Sequence, residues 1–96
     1  HTASLFPGTE AIGELSKLCV ANYVPKFESY RITLTRPVFT HCQKVIFLVA
    51  GDGKKDILKE VLLHPEKGYP SQVVAGECSE GVVEFYIDEA ASKNIK

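Results

Sequence analysis

Six consecutive apolar residues, Val45-Ile46-Phe47-Leu48-Val49-Ala50, run directly into Gly51-Asp52-Gly53-Lys54-Lys55. A continuous apolar run containing β-branched residues reads as a strand buried on both faces. Apolar positions then recur at Ile57, Leu58, Val61 and Leu62, the spacing of one helix face. A buried strand therefore feeds a glycine-containing loop and a helix whose N-terminus carries two lysines. Open α/β sheets bind ligands at the carboxyl ends of their strands, and a helix N-terminus favours phosphate. The loop is not a P-loop, because the spacing is wrong and Lys55 stands where Ser or Thr belongs. It is not a dinucleotide fingerprint either, since Asp56 takes the place of the third glycine. Lys54 and Lys55 are thus either phosphate ligands or solvated surface charges.

A strand apolar on both faces needs a layer on each side, and few elements are left to cover this one. The chain also opens on His1 rather than Met. The expectation is an α/β chain forming one partial domain over 1–96, the C-terminal portion of a Rossmann-like layered domain with a mixed, largely parallel sheet. Hydrophobic content of 45% suits a packed core. Eleven Lys and Arg stand against twelve Asp and Glu, so the basic excess of a nucleic-acid binder is missing. The longest apolar run is too short to span a bilayer. Cys19, Cys42 and Cys78 are odd in number and widely spaced, which predicts free thiols and a cytoplasmic location.

Along the chain, Pro7-Gly8 ends an opening loop, and Thr9 is placed to cap a short helix reaching about Ser16. Leu18 to Val24 reads as a strand halted by Pro25. Tyr30 to Thr35 alternates, putting Tyr30, Ile32 and Leu34 on one face and Arg31, Thr33 and Thr35 on the other. The short connection predicts antiparallel pairing of these two strands. Thr35 is expected to cap a helical turn with Pro37 in its first turn. The central helix should stop near His64, before Pro65. Glu66 to Pro70 reads as loop, and Ser71 to Gly81 as mostly irregular. Val82 to Ile87 alternates as a last strand, followed by a helix from Glu89 to about Asn94 capped by Asp88.

The residues alone support no metal site, since no Cys/His cluster has ligand spacing. His41 and His64 read as structural or surface residues, and His1 as a chain terminus. Arg31 is a strand surface residue or, with Thr33 and Thr35, part of an anion-binding face.

Several strings carry a resemblance. They are His1-Thr2-Ala3-Ser4-Leu5-Phe6-Pro7-Gly8-Thr9-Glu10, Asn22-Tyr23-Val24-Pro25-Lys26, Arg31-Ile32-Thr33-Leu34-Thr35 with Pro37-Val38, Val45 to Gly51, Tyr69-Pro70-Ser71-Gln72-Val73-Val74, and Asp88-Glu89-Ala90-Ala91. In this order the chain resembles the C-terminal part of the 6-phosphogluconolactonases, within the family that includes glucosamine-6-phosphate isomerase/deaminase. The resemblance implies hydrolysis of 6-phosphoglucono-δ-lactone to 6-phosphogluconate in the pentose phosphate pathway, with no metal or cofactor. It implies that His1 is the general base, that Lys54 holds the substrate phosphate, and that Arg31 is another phosphate or substrate contact. It also implies that the missing N-terminal half of the domain, including a Gly/Ser-rich loop, lies elsewhere, with another chain as one option, and that these residues alone are inactive. Arg36 departs from the pattern, standing where lactonases usually carry Leu.

The isomerase/deaminase motif carries an acid five residues after its histidine, and here that position is Phe6, which cannot transfer a proton. Lactonase is the favoured reading. A non-catalytic fragment or interaction module is the alternative from another class.

Overall fold

The computed structural model describes residues 2–78 and 81–95, organised around two strand pairs. Strands β1 (Cys19–Val24) and β2 (Ser29–Leu34) pair antiparallel, with Asn22 opposite Arg31 and Tyr23 opposite Tyr30. A 3₁₀ turn at Pro25–Phe27 joins them, and Glu28 takes a left-handed φ of 48° to finish it. Helix α1 (Arg36–Thr40) leads to β3 (Lys44–Val49). That strand pairs in parallel with β4 (Val82–Ile87), and Phe47 stacks on Phe85 with ring centroids 4.8 Å apart. Parallel neighbours need a crossover. Helices α2 (Lys55–Leu63) and α3 (Pro70–Glu77) lie within it. The mixed α/β architecture expected from the sequence is therefore present.

Leu5, Ala11, Val45, Val74 and Cys78 form the buried core, with Phe39 and Phe47 packed against it. It ties the opening loop to α3 and to one face of β3. The other face of β3 corrects the expectation of two-sided burial: Ile46 is 49% and Leu48 81% exposed. The α2 face is likewise narrower than its periodicity suggests. Leu58 is buried, whereas Ile57 and Leu62 stay exposed, because few described elements lie within reach of them.

Three local expectations fail for identifiable reasons. Residues 70–77 form a helix, not irregular chain. Pro70 occupies the first turn, where no N–H is needed, and Gln72 Oε1 accepts from the Tyr69 N–H at 2.8 Å. The same side chain donates to the carbonyls of Val61 and His64 at 2.9 Å, clipping the end of α2 to the start of α3. At the other end, 89–94 is a set of turns and not a helix. Asp88 does accept from the Ala91 N–H at 2.8 Å, but the winding does not propagate. Near the start, the helix expected to reach Ser16 is a single 3₁₀ turn, Glu10–Gly13. The Thr9 hydroxyl donates to the Phe6 carbonyl at 2.6 Å instead of capping that turn.

Thr35 also holds its N-cap position without a side-chain cap, because its hydroxyl donates to the Lys17 carbonyl. Arg36 acquires a role that the sequence did not suggest. Its Nε and Nη2 both lie 2.6 Å from Glu77 Oε1, and Nη1 donates to the Ile12 carbonyl at 3.1 Å. One guanidinium thus joins α1, α3 and the 3₁₀ turn.

Candidate functional site: a loop gripped by a polar sheet face

The alternation of β2 puts Arg31 and Thr33 on one face, which β1 extends with Val20, Asn22 and Val24. Hydropathy would send Tyr30 and Ile32 inward. The structure does the opposite: these are 69% and 67% exposed, while Asn22 and Thr33 are each 1% exposed. The polar face is buried because the loop from Thr2 to Glu10 lies across it and satisfies its hydrogen bonds.

Ser4 is gripped from both sides. Its N–H donates to Thr33 Oγ1 at 2.8 Å, and its carbonyl accepts from Asn22 Nδ2 at 3.1 Å. Asn22 Nδ2 also donates to Thr9 Oγ1 at 2.9 Å, and Asn22 Oδ1 accepts from the Ala11 N–H at 3.1 Å. Further back, the Leu34 N–H donates to the Thr2 carbonyl at 3.2 Å. A buried carboxamide with its donors and acceptor engaged fixes what surrounds it, since each broken bond would strand a buried polar group.

Arg31 sits at the exposed edge of the same face. Its guanidinium lies 5.0 Å over the Phe27 ring, which meets Phe6 edge-on at 5.5 Å. The fold therefore brings Arg31 and the opening loop together. Thr33 and Thr35 are not available to an anion, contrary to the sequence option, because their hydroxyls are used by backbone groups. Beside the loop, a groove of about 450 Å³ is lined by Thr2, Leu5, Phe39, Val74 and residues 45–48 of β3.

The lysine loop is a separate feature. Gly51 leaves β3 at φ 99°, and a 3₁₀ turn, Asp52–Lys54, opens into α2. Asp52 pairs with Lys93 at 3.1 Å and Lys55 at 3.3 Å. The Lys93 hydrogen bond, then that of Lys55, holds the Asp52 carboxyl below its ordinary range. Lys55 is thus engaged, whereas Lys54 is exposed and forms no ion pair among the described residues. No hydrogen bond, ion pair or shared cavity links Lys54 to Arg31 there. His41 and His64 are exposed, and His64 lies 3.1 Å from Glu66. Among the described residues, no group of three or more His, Cys, Asp or Glu is arranged to hold a metal.

The family model of glucosamine-6-phosphate isomerases/6-phosphogluconolactonase matches residues 1–83. The chain belongs to this family. Among relatives, it is 38% identical to the 6-phosphogluconolactonase-like protein 1 of Saccharomyces cerevisiae, covering 99% of this chain and 30% of that protein. It is 37% identical to the 6-phosphogluconolactonase of Rattus norvegicus, covering 97% and 36%. Among solved structures, the 6-phosphogluconolactonase of Trypanosoma brucei superposes with a TM-score of 0.77 at 25% identity, over 100% of this chain and 38% of that one. The chain thus spans roughly a third of the length of such relatives.

Of the three residues that the family resemblance singles out, Arg31 lies beside the opening loop, and Lys54 lies at the carboxyl end of β3. His1 lies outside the described residues. Asn22 is the functional candidate that sequence reasoning passed over. It belongs to the Asn22-Tyr23-Val24-Pro25-Lys26 string, but its partners are 11 to 18 residues away in sequence and only the folded chain assembles them.

Proposed function

We propose that the protein carrying this chain hydrolyses 6-phosphoglucono-δ-lactone to 6-phosphogluconate, with residues 1–96 forming part of one domain and part of its active site. Family membership over 1–83 is the observation that carries this reading. The buried grip on the opening loop, beside Arg31, supports it.

In this mechanism the neutral imidazole of His1 takes a proton from water, which attacks the lactone carbonyl carbon. The tetrahedral oxyanion collapses, the bond to the ring oxygen breaks, and that oxygen leaves protonated as the hydroxyl of the open acid. Lys54 and Arg31 hold the 6-phosphate and fix the carbonyl relative to the base. The rest of the domain, on the same polypeptide or another, completes the site, so residues 1–96 alone are inactive. Three free cysteines favour the cytoplasm as the location, and no helix of the described residues is long and apolar enough to cross a membrane.

The test is lactone hydrolysis by the full-length protein, corrected for the spontaneous reaction, on phosphorylated and unphosphorylated lactones. Wild type should accelerate the phosphorylated substrate, and His1→Ala should chiefly lower kcat. A full-length protein no faster than the spontaneous reaction would leave the non-catalytic module as the better reading.

A further inference from the structure

We infer that Asn22 is a positioning residue for the general base, acting through the loop that carries His1; this rests on the lactonase reading above. Three observations converge on it. Asn22 is 1% exposed, so its carboxamide cannot contact substrate. Its hydrogen bonds reach Ser4, Thr9 and Ala11, which brackets the loop from three residues after His1 to its exit into the Glu10–Gly13 turn. Thr33, on the neighbouring strand, holds the other side of the Ser4 peptide. Together these bonds set where the loop from Thr2 to Glu10 crosses the sheet beside Arg31.

A general base gains its effect from being held at attack distance, and a displacement of about 1 Å can cost on the order of a hundredfold in rate. Of the two phosphate ligands in this reading, Arg31 is coupled to the grip, being opposite Asn22 in the strand pair and packed through Phe27 against Phe6 of the loop. Loss of Asn22 should therefore lower kcat per folded molecule, with any rise in KM reporting on Arg31. A residue that serves only folding would lower the folded fraction and leave the turnover of each folded molecule unchanged.

The experiment uses the full-length protein carrying this chain and compares wild type with Asn22→Ala, Asn22→Asp, Thr33→Val and Thr35→Val. Asn22→Asp keeps the volume and the acceptor for Ala11 but loses both donors, so it serves if the alanine variant fails to fold. Thr35→Val removes a hydroxyl equally buried that bonds to Lys17, outside the loop. Per folded molecule, Asn22→Ala, Asn22→Asp and Thr33→Val should lower kcat by roughly ten- to a hundredfold. Thr35→Val should leave kcat alone. Amide hydrogen exchange at Ser4 and Ala11 should accelerate in Asn22→Ala while the β1–β2 ladder stays protected. Unchanged exchange at those amides, an unchanged kcat, or an equal loss in Thr35→Val overturns the inference. If wild type itself is inactive, the lactonase reading falls, and the exchange comparison alone decides whether Asn22 holds the loop.

Discussion

Asp88 presents both carboxylate oxygens to the N–H of Gly51, at 3.1 Å each, across the carboxyl ends of the parallel strands β3 and β4. The contact steadies a glycine at φ 99° and ψ 151°, a region closed to other residues. A Cβ added there meets nothing within 4 Å, so the penalty for alanine is backbone strain alone. Gly51→Ala should therefore destabilise by about 1–3 kcal/mol. Gly53→Ala, equally open but without a positive φ, should stabilise by about 0.4–1 kcal/mol through the unfolded chain. Denaturant titration of the two variants checks the opposite signs.

Lys54 and Lys55 are adjacent but differently engaged, and this separates their expected effects. A charge-assisted bond to phosphate contributes about 1.5–3 kcal/mol, so Lys54→Ala should lower kcat/KM on the phosphorylated lactone by roughly ten- to a hundredfold. Lys55→Ala, which removes only the exposed pair with Asp52, should leave it nearly unchanged. Steady-state kinetics on phosphorylated and unphosphorylated lactones decides. An equal loss on both substrates reduces Lys54 to a surface charge.

Arg36→Leu, the residue that the family resemblance implies at this position, removes the bridge to Glu77 and Ile12. The pair is about three-tenths exposed on each side, so solvent screening limits its value. A loss of about 1 kcal/mol is expected from the pair and the carbonyl bond together. A double-mutant cycle with Glu77→Gln isolates the ionic part. A coupling near zero would show that Arg36 contributes only its bond to Ile12.

Acid should loosen the junction between the lysine loop and the C-terminal turns. Lys93 and Lys55 depress the folded-state pKa of Asp52 below its ordinary value of 3.8. A carboxyl depressed on folding contributes stability that is fully present above the ordinary value and lost as pH falls through the lowered one. NMR titration should therefore find Asp52 below 3.8, moving upward in Lys93→Ala. Stability of Asp52→Asn should fall less steeply than wild type across that acid window.

Much of the fold was legible because its signals are local. The apolar run of β3, the alternation of β2 and β4, the stop at Pro25 and the end of α2 near His64 all lie within a few residues of what they determine. The missed α3 also had local signals, Pro70 and Gln72, but the clip by Gln72 to Val61 and His64 requires the neighbouring helix to be in place. The C-terminal turns err the other way: the Asp88 cap is there and Ala91 is buried, yet Lys93 and Asn94 are drawn to Asp52 and Asp56 and the residues stay in turns. The site was legible only as separate pieces. Lys54 follows from strand-loop-helix logic, and Arg31 from strand alternation. The grip on Ser4 and the inward turn of Asn22 and Thr33 depend on contacts across 18 to 29 residues, which periodicity does not encode.

The buried polar face also determines how β1 and β2 align. A slip of one residue in a hairpin turns every side chain to the opposite side, and a contrast in hydrophobicity usually forbids it. Here that contrast is weak, because Tyr23, Tyr30 and Ile32 outside are as apolar as Val20 and Val24 inside. The shifted pairing would lose little oil-like surface, but it would put Asn22 and Thr33 on opposite faces, so that they could no longer hold Ser4 together. Hydrogen bonding is thus the proofreader of this hairpin, and the same few atoms that hold the loop also reject the misaligned strand.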